Sequence, residues 1–164
     1  MKNNLYIIFK PEGILNNIYS NNTDDLKWDK INVKGMLELI FLAQEFFNVS
    51  CMIISNKNSL RDLKLELRKQ SESIVDDAEK SMADKLIGKL VGKVLYDESL
   101  TEQQMIERYM RNKDGYLLIF NQDINYPNKV FWKISNAFGL TVYDAKIITQ
   151  ELKLLLEERK WNLR

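Results

Sequence analysis

The chain has 164 residues, 45% of them hydrophobic, and 24 basic side chains balanced by 23 acidic ones for a net charge of +1. That length and apolar content suit one globular domain with a sizeable core, and the charge balance excludes a global pull toward nucleic acid or membrane, so polyanion binding would need a local patch. Histidine is absent and cysteine occurs once, at Cys51, which removes the side chain that titrates nearest neutrality, the commonest transition-metal ligand and any internal disulfide.

Serine and cysteine triads of the usual kind, zinc fingers and histidine-based nucleases are thereby excluded. Catalysis would have to run on carboxylates, lysine, tyrosine or a magnesium ion held by oxygen ligands. Cys51 lies in the apolar run from Val49 to Ile54, where a free cysteine packs as a small hydrophobe instead of serving as a reactive thiol. The sequence shows no signal peptide and no run of about 18 apolar residues. The expectation is a cytoplasmic protein that makes no membrane contact, in which the glycosylation-type matches at Asn21 and Asn48 are fortuitous.

Along the chain, Leu5 to Phe9 is a short apolar run closed by Pro11 and Gly13 and predicts a buried strand. The polar, acidic stretch from Tyr19 to Lys30 predicts an exposed loop anchored by Leu26 and Trp28. Asn32 then suits a helix cap for Met36, Leu37, Leu39, Ile40, Phe41, Leu42, Ala43, Phe46 and Phe47, a helix apolar around most of its circumference and so expected to be deeply buried. Val49 to Ser55 predicts a second strand, and a strand, helix and strand in succession predict a right-handed crossover between parallel neighbours.

Residues 58–113 read as helical, divided by three start signals in which a side chain satisfies orphan amides: Ser59 with Asp62, Ser73 with Asp76, and Thr101 with Gln104. The buried stripes are Leu60, Leu63 and Leu67, then Ile74, Ala78, Met82, Leu86, Leu90 and Val94, then Met105, Ile106 and Tyr109. Asp114-Gly115 opens a third strand, Tyr116 to Phe120. Pro127 and Gly139 frame a further helix, and Thr141 with Asp144 starts a terminal helix through Ile147, Ile148, Leu152, Leu155 and Leu156 to about Trp161. The predicted fold is therefore a single α/β domain over residues 1–164. It has a small three-stranded, mostly parallel sheet flanked by helices, a long helical insertion at about 58–113 between strands two and three, and a C-terminal helical pair at about 127–161.

Open α/β sheets bind ligands beyond the carboxyl ends of their strands, and polar groups collect there: Lys10 and Glu12, then Ser55, Asn56 and Asn58, then Asn121, Gln122, Asp123 and Asn125. Glu12 and Asp123 would share a magnesium ion, and a helix starting near Ser59 would offer amides to phosphate. In Glu12-Gly13 after the first strand and Asn121-Gln122-Asp123 after the third, the order of elements resembles a Toprim domain, the magnesium-binding module of topoisomerases and primases. That family carries Glu-Gly and Asp-x-Asp at the two places. The resemblance implies a magnesium-dependent, nucleic-acid-processing enzyme. Asn121 stands where one metal-holding acid belongs, and Pro11 alters the approach to Glu12.

Three further features bear on partners. Lys85, Lys89 and Lys93, four residues apart, would stack on one helix face and track a phosphate backbone, although Asp76, Asp77, Glu79, Asp84, Asp97 and Glu98 flank them. Gly88 and Gly92 in the same predicted helix would let another helix approach closely, either within the monomer or as a self-association interface, unless the helix breaks at Gly88; the terminal Trp161 is a further interface candidate. Ile134 to Ala145 resembles a helix-turn-helix, with Val142, Tyr143 and Asp144 at the reading end and Lys146 as the nearby cation. The leading expectation is a non-catalytic binding or regulatory protein without a cofactor, whose partner is another protein or itself. The magnesium enzyme and the DNA-binding regulator are its alternatives. Asn- and Lys-rich usage points to an AT-rich genome such as that of a phage, plasmid or other mobile element.

Overall fold

The computed structural model describes residues 2–17, 28–54, 60–72, 77–93, 97–111, 115–120, 130–135 and 138–158. The fold is mixed α/β. Strands β1 (Asn3–Phe9), β2 (Phe47–Ile53), β3 (Leu90–Lys93), β4 (Tyr116–Phe120) and β5 (Val130–Lys133) form one parallel sheet in the order β3-β2-β1-β4-β5. Helices α1 (Lys30–Ala43), α2 (Leu60–Glu72), α3 (Asp77–Lys89), α4 (Glu102–Met110) and α5 (Val142–Glu157) accompany it.

Side chains alternate across a strand, and here both faces are apolar. On β1, Leu5, Ile7 and Phe9 join one core with Phe47, Cys51 and Ile53 of β2 and with residues of α1, α2, α3 and α5. Ile8 of β1 and Met52 of β2 turn to the other face, where Met105, Ile106 and Met110 of α4 cover them. Two covered faces explain why the central strands are continuously hydrophobic. The winding follows from crossover handedness: the chain moves from β1 outward to β3 with its helices on one face. It then returns past β1 to β4, which puts α4 on the opposite face. The strand order reverses between β1 and β4.

The sheet has two edge strands beyond the three expected. Leu90–Lys93 is a strand, so residues 58–113 are not an uninterrupted helical insertion. Leu86, Leu90 and Val94 are four apart and mimic a helical stripe, but Gly88 and Gly92 weaken a helix by about 1 kcal/mol each relative to alanine, and the chain leaves the helix between them. Val130–Lys133 is also a strand, its Val-Phe-Trp run being β-branched and aromatic. Among the described residues the predicted helical pair at 127–161 therefore reduces to α5, and the helix expected before Gly139 is a strand at Val130–Lys133, so that no helix-turn-helix is formed there. Helix α1 begins at Asp29, whose side chain accepts from the Ile31 amide at 2.9 Å, so Asn32 lies inside the first turn. Trp28 is buried, as an anchor should be. Among the described residues no helix is long and apolar enough to cross a membrane.

Candidate functional site

In a parallel sheet the helices run antiparallel to the strands, so α1, α4 and α5 all begin at the rim where the strands end. Helix N-termini there offer orphan amides to anionic ligands when nothing else occupies them. In this chain each is met by its own side chains. Asp29 caps α1; Thr101 and Gln104 form a reciprocal capping box on α4; Thr141 and Asp144 do the same on α5. The first turn of α4 also carries Glu102, which pairs with Lys10 just beyond β1. The cation best placed to meet a phosphate at the switch between β1 and β4 is thus neutralised, and the described helix starts carry carboxylates.

The loop after β1 is pinned from several sides. Gly13, at φ 80°, donates its amide to Asn16 Oδ1 at 2.7 Å. The carbonyl of Leu15 accepts from Asp29 at 2.9 Å and that of Ile14 from Leu140 at 3.0 Å. Asn32 is fully buried and completes the clasp: its amide donates to the carbonyls of Phe138 and Leu140 at 2.7 and 2.9 Å, while its Oδ1 accepts from Asn17 at 3.0 Å. One side chain therefore ties the loop after β1, the start of α1 and the approach to α5. Helices α1 and α5 consequently start together, and they pack side by side on the same sheet face.

The outer surface of that pair is unusually apolar. Six large hydrophobic side chains are exposed among the described residues, and all but Leu65 belong to it. Ile31 (57% exposed) and Phe41 (71%) lie on α1, Tyr143 (72%) and Leu154 (49%) on α5, and Phe138 (63%) on the segment leading into α5. Helical periodicity accounts for this. On α1, Met36, Leu39, Ile40 and Ala43 face the core and place Phe41 on the far side; on α5, Ala145, Ile148 and Leu152 do the same to Tyr143 and Leu154. Phe41 was expected inside because the helix is apolar all round. Phe41 is instead uncovered, and exposed apolar side chains of this size grouped on one surface mark contact regions.

The residues singled out in the sequence do not assemble as expected. Lys85 and Lys89 are on α3 but Lys93 is a residue of β3, so the three lysines share no helix face. Gly88 is on α3 and Gly92 on β3, and a Cβ added at Gly88 meets nothing within 4 Å, so no helix presses on it. Lys146 is exposed on α5. Glu12 is half-buried beyond β1, and among the described residues no group of three or more metal-ligating side chains converges. Asn21, Leu26, Ser55, Asn56, Asn58, Ser59, Ser73, Asp76, Asp114, the segment from Asn121 to Asn125 with Asp123, Pro127 and Trp161 lie outside the described residues. Sequence reasoning did not single out Asn32 as a bridge, nor Ile31, Phe41 and Leu154 as surface groups. For the last three, the signal was a hydrophobic position about half a turn away from the core-facing stripe of its helix. Comparison with family models, curated proteins and solved structures finds no match for this chain.

Proposed function

We propose that this chain is a non-catalytic binding or regulatory protein acting through protein–protein contacts, with the outer face of the α1/α5 pair as its docking surface. The observation that carries the reading is the gathering of Ile31, Phe41, Phe138, Tyr143 and Leu154 on that one face. Side chains of this size contribute about 1.5–3 kcal/mol each when fully removed from water, and aromatic anchors are the residues most often decisive in protein interfaces. The clasp around Asn32 fixes the two helices relative to one another, so the surface is organised before a partner arrives. The capped helix starts and the Lys10–Glu102 pair at the rim support protein over phosphate-bearing ligands. A cytoplasmic setting is part of the reading and is supported by the free, buried Cys51.

A photo-crosslinking amino acid at position 41 or 143 tests this in the source cells, with position 65 on α2 as the control. Crosslinked protein products from 41 and 143, but not from 65, are expected. A face that yields none from either position overturns the reading.

A further inference from the structure

We infer that the partner of the α1/α5 face is a second copy of this chain, docked about a two-fold axis that lies in the plane of the interface and crosses the helices, so that the helices of the two copies run antiparallel. This rests on the reading of that face as a docking surface and adds the identity of its occupant. Because Asn32 holds the start of α1 against the segment entering α5, both helices run in the same direction away from a shared end. Charge is distributed unevenly along that direction. The starting half presents Lys30, Lys34 and Lys146, and the finishing half Glu38, Glu45, Glu151, Glu157 and Glu158.

Four charges run against the trend among the described residues. Asp29 accepts from the Ile31 amide as the cap of α1, Asp144 accepts from the Thr141 amide and hydroxyl within its capping box, Lys153 sits over the Phe46 ring, 5.6 Å from its centroid, and Lys2 donates to the Gln44 carbonyl at the end of α1. Among the described residues the remaining pattern is positive at one end and negative at the other, with exposed apolar side chains at both: Ile31, Phe138 and Tyr143 at the start, Phe41 and Leu154 toward the finish. A second copy laid down in the same direction would set lysine against lysine and glutamate against glutamate. A half turn about an in-plane axis across the helices lays α1 on α1 and α5 on α5 of the second copy, which sets Lys34 and Lys146 over the Glu45 and Glu157 end of that copy, and it does so twice. A surface that complements itself under that rotation meets the requirement of an isologous dimer.

The size of the face sets the expected affinity. Helices of 14 and 16 residues are about 21 and 24 Å long and pack about 8–10 Å apart, so each copy offers about 400 Å² in projection. That is below the standard of about 800 Å² per partner. Association in the micromolar range is expected, weakened by salt because exposed charges are screened.

Sedimentation velocity over a wide concentration range, at low and high salt, tests the inference on the whole chain. The wild type should shift toward twice its mass with concentration, and less so at high salt. The double variants Lys34→Glu/Lys146→Glu and Glu45→Lys/Glu157→Lys should each weaken association at least tenfold. Combining all four substitutions should restore it, since the swapped face is again self-complementary. All four sites are exposed, and circular dichroism confirms that each variant is folded. A wild type monomeric at every concentration overturns the inference, as does dimerisation unaffected by the reversals or a four-site variant that stays as weak as the doubles. Crosslinks from position 143 only to products heavier or lighter than twice the chain would overturn self-association while leaving the docking face in place.

Discussion

Asn32 of α1 donates its side-chain amide to the carbonyl of Leu140 at 2.9 Å across 108 residues of sequence. The same buried side chain serves Phe138 and Asn17, so three segments share one amide. Replacing it with an apolar residue of similar size leaves those partners short of a hydrogen bond, each at about 1–3 kcal/mol if water does not enter. Asn32→Leu should lower stability by about 2–4 kcal/mol, read as a fall in the urea midpoint. Retention of the wild-type midpoint would show that the clasp contributes little.

The glycines around the clasp should separate sharply by context. Gly139 has φ +65°, and a Cβ there would stand 2.5 Å from Asn32 Nδ2 and 2.6 Å from the Asn16 carbonyl oxygen. At Gly35 an added Cβ would approach the Leu140 oxygen to 2.5 Å, so α1 can lie this close to the entry of α5 only without a side chain. Gly139→Ala and Gly35→Ala should each cost about 2 kcal/mol or more, from backbone strain at the first and overpacking at both. Gly88→Ala, in open space on α3, should be neutral or stabilise by about 0.5 kcal/mol through helix propensity. Thermal melts of the three variants test the contrast.

The central layer could be read from β1, β2 and β4 because each is an apolar run bounded by turn formers, the signature of a strand covered on two faces. The edge strands could not. Leu90–Lys93 and Val130–Lys133 are four residues long, and their surroundings satisfy helical rules, the first by the spacing of Leu86, Leu90 and Val94, the second by Pro127 and Gly139 as a frame. Pairing with a neighbouring strand outweighed that local pattern. The docking face was hidden for a different reason. A helix with apolar residues on several sides does not say which of them stay exposed, and on α1 that depends on packing against α5, a distant part of the sequence. No spacing rule links Asn32 to Leu140 either, since nothing local records a tertiary hydrogen bond.

The capping boxes on α4 and α5 are independent devices and should behave so. Thr101 and Thr141 each accept from the amide three residues on, at 3.1 and 3.3 Å. Loss of a side-chain cap costs about 1 kcal/mol. Thr101→Ala and Thr141→Ala should each lower stability by about that amount, and with no shared partner the double variant should lose the sum to within about 0.5 kcal/mol. Urea titration of the two single variants and the double is the check, and strong non-additivity would mean that the two helix starts are coupled through the rim.

Cys51 gives the fold a pH dependence at the alkaline end. Its thiol is fully buried on β2, and burial pushes it up from 9.0 to about 12, against a smaller opposing pull from the charge of Lys89. Once the pH passes about 9 the unfolded chain loses this proton while the folded chain keeps it, so ionisation favours unfolding. The stability tied to the neutral thiol is complete below pH 9 and declines by about 1.4 kcal/mol per pH unit up to about 12. Lysines and tyrosines titrate over the same range, so the effect is isolated by difference. The stability advantage of the wild type over Cys51→Ala should shrink by about 1.4 kcal/mol between pH 8 and pH 10, because the alanine variant lacks the titrating group. Reaction of the native protein with a thiol reagent near pH 8 should correspondingly wait on opening of the core, its rate rising with urea in step with unfolding. A thiol that reacts at the rate of a free cysteine in the folded state, or an advantage that does not change with pH, would place Cys51 outside the closed layer between the sheet and its helices.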